Sequence, residues 1–200
     1  MNQYLNIETQ RSQRPDMNRQ KIKYEHLRET DRFYQMPQEF QNSLPQPVKE
    51  VQNRYRHATP RVRVTTDQKT GQIKAAIYKL KVSDLEIFCP KDAFDVRISV
   101  ALEIKYPYPT QDLIEQVGKN GDSGSRFKDR LSYKHQFVSV DLTQVTDAAE
   151  KKQELELEID TDLLRDEGLK ADAGVPNHYE GIVGIFTNYI RVMNRTCRPQ

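Results

Sequence analysis

Asp95–Tyr106 reads DVRISVALEIKY. Side chains on a strand point alternately to its two faces. One face of this stretch carries Arg97, Ser99, Ala101, Glu103 and Lys105, and the other carries Val96, Ile98, Val100, Leu102 and Ile104. A strand with one wet face would look like this, since antiparallel sheets often leave one side in water. The pattern then recurs along the chain. RVRVT groups Arg61, Arg63 and Thr65, and IYKLKVS groups Lys79, Lys81 and Ser83. KDRLSYK groups Lys128, Arg130, Ser132 and Lys134, SVDLT groups Ser139, Asp141 and Thr143, and ELELEID groups Glu154, Glu156 and Glu158.

Two architectures fit. A sheet could pack its aliphatic face on helices and show its charged face to bulk water. Alternatively the sheet closes into a barrel whose interior is charged. The distribution of sign favours the second. A solvated face mixes Lys and Glu along each strand, whereas here the signs are segregated by strand. Like charges side by side cost energy unless something lies between them. A polyanion beside the basic strands and a divalent cation beside the glutamates would resolve both. Lys and Arg suit a polyphosphate, with Arg able to contact it bidentately. Magnesium or manganese suits the carboxylates and keeps waters in its shell.

Composition narrows the class. The 200 residues suffice for one sizeable core, and the net charge is only +2, with 31 basic and 29 acidic residues. Bulk charge therefore announces neither a nucleic-acid coat nor a membrane-surface protein. Cys89 and Cys197 have no metal-ligand spacing and make no disulfide framework. The N-terminus has no apolar run of a secretory signal, and nowhere does the chain reach the length of a membrane span.

Residues 1–20 read as a polar, mobile or helical lead-in, and 21–200 as a single barrel domain. Ile22–Tyr34 reads as a strand pair and Val48–Tyr55 as a short helix. Two strands flank a turn at Asp67–Gly71, and Ser83–Phe88 reads as a separate strand. GKNGDSGS, Gly118–Ser125, lacks the Lys-Ser/Thr ending of a phosphate-binding loop and reads as a flexible connection. Further strands are expected at Lys128–Phe137, Val138–Val145 and Glu154–Ile159. Helices are expected at Thr161–Glu167, stopping near Gly168, and over Asn177–Arg195, where Ile182, Phe186, Tyr189, Ile190 and Met193 form an apolar stripe. His135 alternates onto the aliphatic side. The expected fold is α+β: an antiparallel β-barrel with a charged interior and helices packed outside.

RVRVTTDQKTG, FDVRISVALEIKY, KDRLSYKHQF, SVDLTQVT and ELELEID, in this order along the chain, resemble the fungal RNA 5′-triphosphatases, the beta subunits of mRNA capping enzymes, over roughly residues 20–195. That family belongs to the triphosphate tunnel metalloenzymes. The resemblance implies an eight-stranded tunnel and removal of the γ-phosphate from the 5′ end of nascent RNA. It implies Mg2+ or Mn2+ on Glu156 and Glu158 with Glu154 in support. Glu103 would orient the attacking water. Arg63, Lys79, Lys128 and Arg130 would hold phosphate oxygens, and Asp141 and Thr143 would support them on the wall. Ser139 stands where some members carry Arg. The implied partners are triphosphate-ended RNA, the mRNA guanylyltransferase and a second copy in a homodimer, in the nucleus and away from membranes. The family's first tunnel strand carries a further ExE pair. Nothing in Met1–Pro60 matches it, and Glu25, Glu29 and Asp31 in EHLRETD stand in the wrong context. The barrel is therefore expected to be N-terminally incomplete, with its first tunnel strand missing. Competing readings are a catalytically incomplete binding subunit of the same fold and a tunnel enzyme acting on inorganic polyphosphate or nucleotides.

Overall fold

Seven antiparallel strands form one sheet: β1 (Lys23–Gln35), β2 (Arg61–Asp67), β3 (Ile73–Ile87), β4 (Val96–Lys105), β5 (Ser125–His135), β6 (Val138–Thr146) and β7 (Lys151–Ile159). The computed structural model describes residues 1–16, 18–54, 59–120 and 124–197, and for 116–120 the backbone alone. The spatial order is β4-β3-β2-β1-β5-β6-β7, so β1 lies at the centre and β4 and β7 are the rims. Lys79 on β3 acts electrostatically on Glu158 on β7. Five strand spacings would hold them about 24 Å apart on a flat sheet. The sheet is therefore curled into a trough. The expected barrel is present as an open, half-closed wall.

Local chemistry sets the turns. Asp67 Oδ1 accepts hydrogen bonds from the backbone of Lys69 and Thr70 and from the Thr70 hydroxyl, and Gly71 takes φ +71°. Asp147 closes the β6–β7 turn by accepting from the amides of Ala149 and Glu150. β5 returns into β6 through Gln136, at φ +57°.

Four expectations are corrected. Ile22–Tyr34 is not a strand pair but one strand, β1, because it contains no Gly, Pro or Asn to turn it. Ser83–Phe88 is not a separate strand but the far half of β3, which continues across a register shift between Lys81 and Ser83. That bulge carries Ser83 off the charged face, opposite Val100. The polar stretch after β4 begins with a helix, α4 (Gln111–Asn120), seated by the fully buried Leu113. It occupies the start of the expected flexible connection, of which residues 121–123 lie outside the described residues. The helix expected to stop near Gly168 runs on as α5 (Thr161–Asp172), capped by Asp160 accepting from the Leu163 amide at 3.1 Å. Gly168 lies inside this helix beside Tyr179 and does not terminate it. A Cβ on it would come within 3.4 Å of the Tyr179 ring.

The remaining helices are α1 (Asn2–Ser12), α2 (Gln38–Ser43), α3 (Gln46–Arg54) and α6 (Tyr179–Thr196). The short helix expected at Val48–Tyr55 is α3, with Tyr55 outside the described residues. Of the two forms expected for the lead-in, the structure has the helix. Leu5 of α1 is buried with Tyr133, Val140 and Met193. The Tyr133 hydroxyl donates toward the side-chain carbonyls of Asn2 and Asn6, both 2.8 Å away. The Ser12 hydroxyl accepts from the Ile22 amide at 3.0 Å.

The core lies on the convex side in two parts. Beneath α2 and α3, Phe40 and Leu44 pack with Tyr34, Val62, Val64, Tyr78 and Leu80. Beneath α1 and α6, Leu5, Tyr133, Val140 and Met193 pack with Leu142 and Leu157. His135 belongs to this second side, where its Nδ1 pairs with the Tyr189 hydroxyl. With the apolar faces turned to the helices, the charged faces line the trough.

Candidate phosphate site in the trough

Residues paired directly across an antiparallel ladder share a face. Lys79 lies opposite Glu103. Arg130 lies opposite Thr143, and Thr143 opposite Glu154. Ser132, Asp141 and Glu156 form a second such row, and Lys134, Ser139 and Glu158 a third. Arg63 lies opposite Ile77, two residues from Lys79. All ten residues singled out in the sequence thus share the concave face.

Arg63, Lys79, Lys128 and Arg130 are each held by a carboxylate. Glu103 sits 3.3 Å from Lys79 Nζ and 3.6 Å from Arg63 Nη2. The Arg130 Nη1 is 3.1 Å from Asp141 Oδ2, while the other Asp141 oxygen accepts from the Ser132 hydroxyl at 2.6 Å. Asp141 is buried, so it fixes the Arg130 guanidinium and does not face a ligand alone.

The sequence reading missed the centre of this arrangement. Asp31 on β1 is 1% exposed. It accepts from the Thr65 hydroxyl at 2.6 Å and lies 2.5 Å from Lys128 Nζ. Burial alone would raise its pKa, but the hydrogen bonds from Lys128 and Thr65 outweigh burial and hold the carboxyl below the usual range. The signal was present in the alternation Glu25, Leu27, Glu29, Asp31, Phe33, which places Asp31 on the charged face once β1 is read as one strand.

Glu158 is the opposite case. Burial raises its pKa, and the negative charges of Asp141 and Glu156 raise it further. Arg130 and Lys79 offset only part of this. Its surface nevertheless remains open to solvent. Among the described residues, no three His, Cys, Asp or Glu side chains converge as metal ligands. The described residues therefore form no closed metal cage. They offer a crowded carboxylate with a second one two residues away on the same face.

Among the described residues, four buried polar atoms on this wall lack a hydrogen-bond partner; Asp31 Oδ2 has the Lys128 ammonium against it, which leaves Arg63 Nε, Arg130 Nε and the Thr143 hydroxyl. Buried donors are normally satisfied. Two guanidinium N–H groups and a hydroxyl beside Lys79 and Lys128 form a set that an anion with several oxygens would complete.

Comparison with known proteins gives this arrangement a family. A family described as "mRNA capping enzyme, beta chain" matches residues 1–199. The mRNA-capping enzyme subunit beta of Schizosaccharomyces pombe is 30% identical over 202 residues, which cover 98% of this chain and 57% of that protein. The subunit of the same name from Cryptococcus neoformans is 39% identical over 90 residues, 44% of this chain and 20% of that protein. Among solved structures, S. pombe Pct1 RNA triphosphatase superposes with a TM-score of 0.74 at 30% identity, covering 97% of this chain and 66% of that one. The same enzyme in complex with the Spt5 CTD gives 0.76. The chain thus spans somewhat more than half the length of the S. pombe relative. By match and by fold, it belongs to the mRNA capping enzyme beta chain family.

Proposed function

We propose that this chain carries the phosphate-handling wall of a metal-dependent RNA 5′-triphosphatase, which removes the γ-phosphate from nascent transcripts as the first step of cap formation. The observation that supports it best is the trio of buried, unpartnered donors on Arg63, Arg130 and Thr143 beside the Lys79 and Lys128 ammonium groups. A triphosphate brings many oxygens and several negative charges to such a set.

In this reading Arg63, Arg130, Lys79 and Lys128 neutralise the equatorial oxygens of the transferring phosphoryl group, where charge is greatest in the transition state. Asp141 and Asp31 orient the cations from behind. Glu103 turns from its contact with Lys79 toward a water, aligns it opposite the leaving oxygen and takes its proton. The bond from the γ-phosphorus to the bridging oxygen breaks as the bond to the water oxygen forms. The products are orthophosphate and a diphosphate-ended RNA, the substrate of a guanylyltransferase in the nucleus.

Magnesium commonly binds through one or two carboxylates plus substrate phosphates and water. Glu158 and Glu156, with Glu154 in support, fit that habit. Bound there, Mg2+ or Mn2+ would relieve the crowding at Glu158 and polarise the phosphoryl oxygens.

The test is phosphate release from γ-labelled triphosphate RNA by the 200-residue chain, with magnesium or manganese and with chelator. Metal-dependent release that is lost in Glu103→Ala and reduced in Arg130→Ala is expected. Release insensitive to both substitutions would overturn the site.

A further inference from the structure

A second row of residues lies one step along the trough from the phosphate wall. Arg61 on β2, Phe33 on β1 and Arg126 on β5 are each two residues from Arg63, Asp31 and Lys128. All three displacements run toward the same end of the trough, because β2 and β5 are antiparallel to β1. Two strand residues span about 6.7 Å, which is comparable to one nucleotide step of an extended strand.

This row is built differently from the inner one. The Arg61 guanidinium carbon lies 5.6 Å from the Phe33 ring centroid, and that of Arg126 lies 5.0 Å from it. The ring is half-buried and both arginines are exposed. Arg63, Arg130, Lys79 and Lys128 each have a carboxylate partner. Among the described residues, neither Arg61 nor Arg126 has one within ion-pair distance. An aromatic face therefore positions these two cations without neutralising them.

Free nucleoside triphosphates and triphosphate-ended RNA present the same phosphates to the inner wall. The difference lies beyond the first nucleoside. RNA continues there with a diester phosphate and a further base, and a nucleotide does not. Paired guanidinium groups suit the diester, and an aromatic edge beside them suits a base or ribose. We propose that Arg61, Phe33 and Arg126 receive the first diester phosphate and adjoining nucleoside of the transcript, and so set the preference for RNA over free nucleotides. This rests on the triphosphate reading of the inner wall.

The test measures binding, so it does not require turnover. A fluorescent RNA hexamer with a 5′-triphosphate is titrated onto the chain by anisotropy, and GTP is titrated by competition. The variants are Phe33→Leu and the double variant Arg61→Gln/Arg126→Gln, whose exposed side chains can be replaced without disturbing the core. The double variant is expected to lose about tenfold or more in RNA affinity, with a salt slope shallower by about 0.7 from the loss of one phosphate contact. Its GTP affinity should stay within about twofold of the parent's, by the same reasoning that nucleotides end before this row. Equal losses for RNA and GTP would assign the row to the triphosphate site and overturn the proposal, as would no loss for either. If the parent chain binds neither probe, the triphosphate reading itself falls and takes the proposal with it.

Discussion

Asp31 and Glu158 are carboxylates on the same concave wall, yet their surroundings act on them in opposite directions. Asp31 stands on the central strand, shut from solvent, between a hydroxyl and an ammonium group. Its ionised form is favoured. Glu158 stands on a rim strand, open to solvent, with Asp141 and Glu156 as neighbours. Its ionised form is disfavoured. The difference teaches that position in the sheet sorts residues of one chemical type into two roles. In the middle a carboxylate has partners on both neighbouring strands and becomes part of the framework. At the rim it has neighbours on one side only, and its unmet charge is left for a ligand.

The largest effect that could break this contrast is on stability. Asp31→Ala leaves the largely buried Lys128 ammonium without its partner and is expected to cost about 3 kcal/mol or more in urea unfolding. If it unfolds no more readily than the parent, the framework role fails. Next comes turnover. Glu158→Gln should lower phosphate release by about a hundredfold, the scale for losing one transition-state charge interaction. Wild-type release would remove Glu158 from the site.

A smaller effect separates the two by pH. The folded pKa of Asp31 is depressed, so its stabilisation is fully present above the ordinary aspartate value and is lost as pH falls through the folded one. Glu158 has a raised folded pKa, so its ionisation opposes folding, and that penalty is relieved as pH falls through the raised value. Acid unfolding of Asp31→Asn should therefore be shallower than the parent's below the ordinary aspartate range, and equal slopes would contradict the pairing. The smallest effect is a gain. Glu158→Gln should stabilise the metal-free protein at neutral pH by only a few tenths of a kcal/mol, because solvent already screens the charge. A loss of stability would mean that Glu158 is a framework residue after all.

The face carrying the site was legible because strand alternation has a period of two and needs no knowledge of neighbours. That one rule placed all ten candidate residues on the concave side. Ser83 escaped it because a bulge inserts a residue without leaving a mark in the sequence. Asp31 escaped because β1 was divided in two, which hid the run that connects it to Phe33. α1 and α4 were obscured by composition, since among their described side chains only Leu5 and Ser12 of α1 and Leu113 of α4 are buried, amid polar residues. The sheet order was out of reach altogether. β1 pairs with β5 across about half of the chain, and long-range pairing is decided by packing that local pattern does not encode.

The two rims have a consequence for the protein in the test tube. A rim strand presents a row of unpaired backbone N–H and C=O groups to other molecules. On β4 that row adjoins exposed Ile98, Val100 and Leu102, with Leu85 and Ile87 of β3 beside them. On β7 it is flanked by Glu154, Glu156 and Glu158, whose mutual repulsion keeps other copies at a distance. Colloidal behaviour is therefore expected to be asymmetric, with self-association in concentrated solution beginning at β4. Acidification then removes the guard on β7, beginning at Glu158, and high salt screens what remains. The glutamates of the candidate site are thus also expected to guard one rim of its wall.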